Sequence, residues 1–328
     1  MVQTTSSTDS DTSLAARIPT GSARPARSTR STRSAIDDDG DVAGLGRTRA
    51  ALFAAPAFIL IAIFLVFPAL WTLYLGMTNF RLTGAAALNP QFVGIDNYLA
   101  ALTDSRFLSS LALTLLFVLG SAIIGQSLLG FTIAWLMTRV SKAVRAVVEF
   151  FVLLAWIIPS SVSTFLWIAL LDRSDGTLNV LLNTPGTGWL LQYPMQSIIV
   201  FNTWAGTAFS MLLFSSALAS VPPSQLESAK MVGAGAWAQL RDVIFPHIRG
   251  HLLTNTLLIT LWTFNVFTPY LLTAGGPDGR SEILPVFIYR LALRDGLLGE
   301  GAAISLIMII INLVIALVYL RLLREKKQ

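Results

Sequence analysis

Six stretches of this chain, at about 51–78, 107–138, 147–171, 196–220, 251–273 and 301–323, are long and apolar enough to cross a bilayer. The ruler is simple: at about 1.5 Å per helical residue, about 20 apolar residues span a hydrocarbon core roughly 30 Å thick. The second stretch is long enough to tilt or bend, and Pro269 near the outer end of the fifth predicts a kink or a break there. Composition agrees, because 54% hydrophobic and 12% charged residues lie outside the range of a soluble domain of 328 residues. The expected fold class is therefore an all-α polytopic membrane protein with six transmembrane helices.

Residues 1–48 are of another kind, rich in Ser, Thr, Arg, Ala and Asp with almost no large apolar side chain. They bury too little surface to offset chain entropy and are expected to form a disordered cytoplasmic tail. Asp9, Asp11 and the cluster Asp37-Asp38-Asp39 argue against an organellar transit peptide. The chain thus divides into this tail and a membrane domain over 49–328. With the N-terminus placed inside, the inner segments hold seventeen Lys and Arg against six in the outer ones, and ten against six without the tail. Both termini and the segment 221–250 are expected on the cytoplasmic side. The formal net charge of +5 follows from that topology and lends no support to nucleic-acid binding.

Several chemistries are excluded by what the chain lacks. It has no Cys, which removes disulfides, thiolate nucleophiles, Cys-ligated zinc and iron–sulfur clusters. His247 and His251, four apart, could share a helix face, but no third ligand and no following Glu accompany them, so they read as interfacial histidines. No serine nucleophile elbow and no acid pair for hydrolysis is present. The spans hold no Asp, Glu or His in their interior, the relays and ligands that ion-coupled carriers use, and Glu149 one turn after Arg145 reads as an interfacial ion pair. None of the four lysines, Lys142, Lys230, Lys326 and Lys327, ends a Gly-rich phosphate loop, so any ATP would be hydrolysed by a partner.

The polar stretch Val221–Gly250 is the one inner connector long enough to fold. Pro222 and Pro223 suit a first helical turn that Ser224 could cap, and the helix would run to Val232. Gly233-Ala234-Gly235 lets the chain turn into a second short helix from Ala236 to about Ile244, closed by Pro246. Leu226, Ala229, Met231, Val232, Trp237, Leu240 and Val243 give this helix-turn-helix more apolar surface than a free loop can leave wet, which predicts a docking element.

The run Glu227-Ser228-Ala229, Gly233 and Val243-Ile244-Phe245-Pro246 resembles the Glu-Ala-Ala loop of the membrane subunits of binding-protein-dependent ABC importers: Glu-Ala-Ala, three residues, Gly, nine residues, then Ile-x-Leu-Pro. Ser228 replaces an Ala, Val232 the usual Asp before the Gly, Val243 the Ile and Phe245 the Leu. Phe92-Val93-Gly94-Ile95-Asp96-Asn97-Tyr98 is similar to a signature of maltose-type sugar-importer subunits, as are Asn202-Thr203-Trp204 and Tyr270-Leu271-Leu272-Thr273 with Gly275-Gly276-Pro277. Thr268 stands where that family usually has Asp.

The resemblance covers about residues 50–325 and implies a type I ABC importer permease fold, in which six helices form half of a translocation path. It further implies a second homologous permease subunit, two ABC ATPase subunits that use ATP and Mg, and an extracytoplasmic solute-binding protein; the chain itself would bind no cofactor or metal and catalyse nothing. Carried over by position, Glu227, Ser228, Ala229, Gly233, Val243 and Pro246 would form the ATPase-coupling site. Glu227 would meet a basic group, Ala229 and Gly233 would permit close approach, and Pro246 would set the exit angle of the docked helix. Uptake of a sugar, foremost an oligosaccharide, is the expected function. Glycerol-phosphate, phosphodiester or polyol uptake is the alternative, and a membrane scaffold or enzyme is the alternative of another class.

Polar groups within the spans carry two readings. Asn255, Trp262, Asn265 and Pro269 are spaced 7, 3 and 4, which places them on one face of the fifth span. Asn amides can pair with sugar hydroxyls and an indole can stack on a pyranose ring, so these residues are candidates for a substrate path. Equally, an intramembrane Asn can bond a neighbouring helix and a Trp can fill a gap. Asn202, Gly206 and Ser210 step by four along the fourth span, the spacing of close helix packing as well as of a pore lining. Gln126 and Asn312 share the ambiguity.

Overall fold

The computed structural model describes residues 47–325, so the expected N-terminal tail lies outside the described residues. The chain divides into two units, Met1–Leu60 and Ile61–Gln328. The described part of the first belongs to the helix Arg47–Ile61 (α1), whose last residue opens the second. The second continues through a wide π-type turn, Ala62–Val66, and the helix Phe67–Gly76 (α2). The remaining helices used below are Asp96–Thr103 (α3), Ser105–Met137 (α4), Lys142–Ile157 (α5), Ser160–Leu170 (α6) and Pro194–Ala219 (α7). They are followed by Pro223–Met231 (α8), Ala236–Gln239 (α9), Phe245–Phe264 (α10), Pro269–Thr273 (α11), Leu284–Tyr289 (α12) and Leu298–Glu325 (α13). No strand occurs among the described residues, apart from one isolated bridge between Thr78 and Phe92.

Among the described residues four continuous helical stretches are long and apolar enough to cross a membrane: Ala51–Gly76, Ser105–Met137, Pro194–Ala219 and Leu298–Leu323. The other two expected crossings are helical but interrupted. The third, expected as one span over 147–171, is instead α5 and α6, bent by 104°. Pro159 is the cause: it restrains Ile158 to an extended ψ of 130° and has no N–H for a helical bond. Apolar length alone conceals this break. The fifth stops at Asn265, four residues before Pro269, because the proline ring would clash with the Asn265 carbonyl if the helix ran on.

The bundle is held at its centre by α4, α7 and α10. Phe117, Phe264, Phe287 and Ile198 are fully buried in one apolar cluster, and Met211, Phe214 and Ile248 lie in a second. At Gly206 and Ser210 the step-of-four spacing on α7 acts as packing. A Cβ on Gly130 of α4 would lie 2.6 Å from Ser210 Cβ and 2.8 Å from the Met211 backbone N, so the two helices meet there almost backbone to backbone. Gly206 faces the Gln126 side chain in the same seam.

This contact yields a signed expectation. In a loosely packed helix Gly130→Ala would stabilise the protein through helix propensity. Here overpacking against backbone is expected to destabilise it by about 2 kcal/mol, read as a lower Tm of the purified protein in detergent.

Outside the apolar core lies one acid that is buried among the described residues, Glu282. Its Oε1 accepts a hydrogen bond from Arg290 Nη1 at 2.8 Å and sits 3.9 Å from Arg106 Nη2, whose guanidinium also lies over the Phe287 ring. Hydropathy places all three residues in outer connectors and carries no sign that they pair.

Candidate functional site

The segment after α7 folds as a helix-turn-helix, with differences of detail from the expected one. Pro222 occupies the N-cap of α8 and Pro223 its first turn, but no side chain caps it; the nearby hydroxyl bond runs from Ser228 Oγ to the Ser224 carbonyl at 2.8 Å. The helix ends one residue early, at Met231. Its last carbonyls are satisfied by a paired turn in which Gly233 N donates to Lys230 O at 3.0 Å and Ala234 N to Ala229 O at 2.9 Å. The turn requires a φ of +80° at Gly233, which a side chain would strain. Val232, where the resembled pattern has Asp, is the residue before that turn and offers no side-chain cap.

Pro246 does not close the second helix. After α9 the chain passes through a wide π-type turn, Leu240–Ile244, and runs directly into α10, with Pro246 in the first turn of α10. The wide turn accommodates the missing N–H and the ring that a tight α-helical turn could not.

The apolar residues of this element split into two groups. Leu240, Ile244 and Ile248 are buried against Phe131, Met211, Phe214, Ala217 and Val221, with Leu226 and Val243 packed on the same cluster. His247 Nε2 lies 3.1 Å from the Ser220 carbonyl and ties the start of α10 to the end of α7. Met231, Val232 and Trp237, by contrast, are 89%, 84% and 69% exposed, and Glu227 is exposed beside them. Arg241 and Asp242 pair at 2.7 Å, and the guanidinium holds the Asp242 carboxyl below its ordinary range. One side of the element is thus anchored in the bundle, while the other presents apolar side chains and an acid without an ion partner among the described residues.

A cavity of about 350 Å³ opens at the bend between α5 and α6. Trp156, Phe209 and Trp262 form an aromatic wall, with ring centroids 6.2 Å and 5.8 Å apart along the row. Gln126, Ser163, Asn202, Thr263 and Thr268 supply polar groups, and no charged side chain among the described residues lines the cavity. Ser163 Oγ is buried without a hydrogen-bond partner among the described residues.

The four sequence candidates for a path separate here. Trp262 and Asn202 line the cavity, although Asn202 is largely committed: its Nδ2 donates to Ser121 Oγ at 2.8 Å and to Thr263 Oγ1 at 3.4 Å, while Gln126 Nε2 donates to its carbonyl at 2.9 Å. Asn255 is fully buried, with Nδ2 3.5 Å from Ser127 Oγ, and Asn265 at the end of α10 donates to Asn312 Oδ1 at 3.2 Å. Neither lines the cavity, and Pro269 begins α11 beyond the break, so the single face expected from their spacing does not persist. Helical spacing misses Trp156, Phe209 and Ser163; the available signal is Pro159, whose break turns Trp156 and Ser163 into the same space.

Among the described residues no group of three or more His, Asp or Glu could hold a metal. A model of the binding-protein-dependent transport system inner membrane components matches residues 126–328, a span that includes the helix-turn-helix and every lining residue of the cavity. The chain belongs to that family.

This permease is 29% identical over 282 residues to a probable ABC transporter permease protein of Pyrococcus horikoshii, covering 82% of this chain and 93% of that one. It is 26% identical over 308 residues to the diacetylchitobiose uptake system permease protein of Streptomyces coelicolor, covering 88% and 94%. Its fold matches a chain of the crystal structure of a bacterial ABC transporter involved in the import of the acidic polysaccharide alginate, with a TM-score of 0.68, 22% identity and coverage of 86% and 98%. The type I importer permease architecture expected from the sequence is therefore the one found, and the chain is a multi-pass transport subunit and not an enzyme.

Proposed function

We propose that this permease forms half of the pathway of an ATP-driven importer for an uncharged sugar, foremost an oligosaccharide. A second homologous permease subunit completes the pathway, two ATPase subunits using ATP and Mg power it, and an extracytoplasmic binding protein delivers the solute. The termini and the helix-turn-helix lie on the cytoplasmic side, in keeping with the distribution of Lys and Arg. The observation that carries the reading is the two-sided helix-turn-helix, fixed to the bundle through Leu240, Ile244 and Ile248 and open at Glu227, Met231, Val232 and Trp237. Such an element transmits rigid-body motion from a docked partner to the spans it is packed on.

Within it, Glu227 meets a basic group of the ATPase, Ser228 and Ala229 keep the contact side of α8 small, Gly233 makes the turn, and Val243 and Pro246 join the motion to α10. The cavity supports the solute class: an aromatic wall with hydroxyl and amide groups and no charge suits a sugar better than a phosphate ester. The name of the diacetylchitobiose relative supports carbohydrate as well. Trp262 and Asn202 belong to the path, whereas Asn255 and Asn265 join helices.

Vesicles carrying the complete assembly test the function: ATP-dependent accumulation of labelled oligosaccharide is expected, and product formation without accumulation would refute it. Trp262→Ala is expected to raise the KM for uptake about fivefold through loss of ring stacking, with ATPase docking unchanged.

A further inference from the structure

At the end of the bundle that carries α8 and α9 lies a second cleft, of about 520 Å³, which shares no lining residue with the cavity. Its walls come from the last turn of α4, the end of α7 and the two helices of the helix-turn-helix. The floor is apolar, made by Leu218, Val221, Leu226 and Ile244, while Arg139 and Lys230 stand at its rim and no carboxylate among the described residues lines it. Neither cation has an ion-pair partner among the described residues, in contrast to Arg145 and Arg241, which pair with Glu149 and Asp242 at 2.7 Å each. Arg139 is nonetheless held in place, its guanidinium 4.2 Å from the centre of the Trp135 ring. It lies just beyond Met137, the last residue of an apolar helix of 33 residues, and the indole it stacks on is of the side-chain type enriched at the membrane–water interface.

A cleft with a cationic rim and an apolar floor at that depth fits an amphiphile. A phosphate would sit between the two cations, and the glycerol and first acyl carbons would cover the floor. A soluble phosphate compound would engage the rim alone and leave the floor to water. We propose that this cleft binds the headgroup of an anionic phospholipid of the cytoplasmic leaflet, with Arg139 and Lys230 as its phosphate ligands. The proposal rests on the orientation given above. Because Leu226 and Lys230 belong to α8 and Arg139 follows α4, a bound lipid ties the coupling helices to the membrane bundle and makes coupling sensitive to lipid composition.

The test uses the full chain in its assembly, in nanodiscs containing phosphatidylcholine and phosphatidylglycerol, with the lipids retained after extraction measured by native mass spectrometry. Phosphatidylglycerol is expected to be retained in preference to phosphatidylcholine, and retention to fall about fivefold in Arg139→Gln and again in Lys230→Gln. Arg139→Lys should retain it at close to the original level. Lys230 is exposed, so its variant tests the idea even if Arg139→Gln fails to fold. Equal retention of the two lipids, unchanged retention in the Lys230 variant, or displacement of phosphatidylglycerol by millimolar inorganic phosphate would overturn the proposal. Retention does not depend on uptake, so loss of transport alone would count against the proposed function and not against this site.

Discussion

Glu227→Arg is expected to leave the membrane fold intact and to reduce ATP-driven uptake about a hundredfold. Glu227 is exposed near the middle of α8 and its side chain takes part in no hydrogen bond or ion pair within the described residues, so the folded chain loses nothing by its replacement. At a docked interface the outcome differs. Placing a second cation against a basic group of the partner costs several kcal/mol, which is a loss of affinity large enough to empty the site at working concentrations. The variant should purify with an unchanged Tm and without ATPase subunits. A variant that retains both the ATPase and normal uptake would remove Glu227 from the coupling site.

Glu282→Gln is expected to act in the opposite sense, on stability first. The carboxylate is buried, and it accepts from Arg290 at 2.8 Å. Neutralising it leaves a guanidinium facing an amide in a site from which water is largely excluded. Truncating one partner of a fully buried pair costs about 3–5 kcal/mol, but Arg290 keeps 32% of its side-chain surface and can rehydrate in part. A loss of about 2 kcal/mol is therefore the expected value, seen as a lower Tm that Glu282→Asp restores only partly, because the shorter acid cannot reach both arginines. An unchanged Tm in Glu282→Gln would mean that the pair holds nothing together.

The four continuous crossings are legible in the sequence because each is governed by one quantity, apolar length, that a sequence displays directly. The helix-turn-helix is legible for a different reason: Pro223 and Gly233 act through local backbone geometry, which here depends on no partner distant in the chain. The points of divergence share a cause as well. Pro159 lies within a long apolar run whose length outweighs it in any hydropathy reading, yet a single missing N–H with its ring determines whether a helix bends. Pro246 has the local character of a stop, whereas the wide turn before it allows the chain to continue. Asn202, Asn255 and Asn265 each admit two roles on sequence grounds, and the partners they bond on other helices, Ser121 and Thr263, Ser127, and Asn312, have no sign in the sequence. The Glu282 pairing and the basic cleft at Arg139 and Lys230 depend on residues far apart in the chain and have no local signature at all.

The absence of Cys allows the exposed side of the helix-turn-helix to be probed one position at a time. Val232→Cys places a single thiol at the exposed turn between α8 and α9, a position 84% exposed in the chain alone. In membranes that contain the permease alone, a maleimide applied from the cytoplasmic side should label this thiol rapidly. On assembly with the ATPase subunits, labelling should be suppressed and a short bifunctional reagent should join the introduced thiol to an ATPase chain. Undiminished labelling in the full assembly, with no cross-link to an ATPase, would contradict the account at its centre.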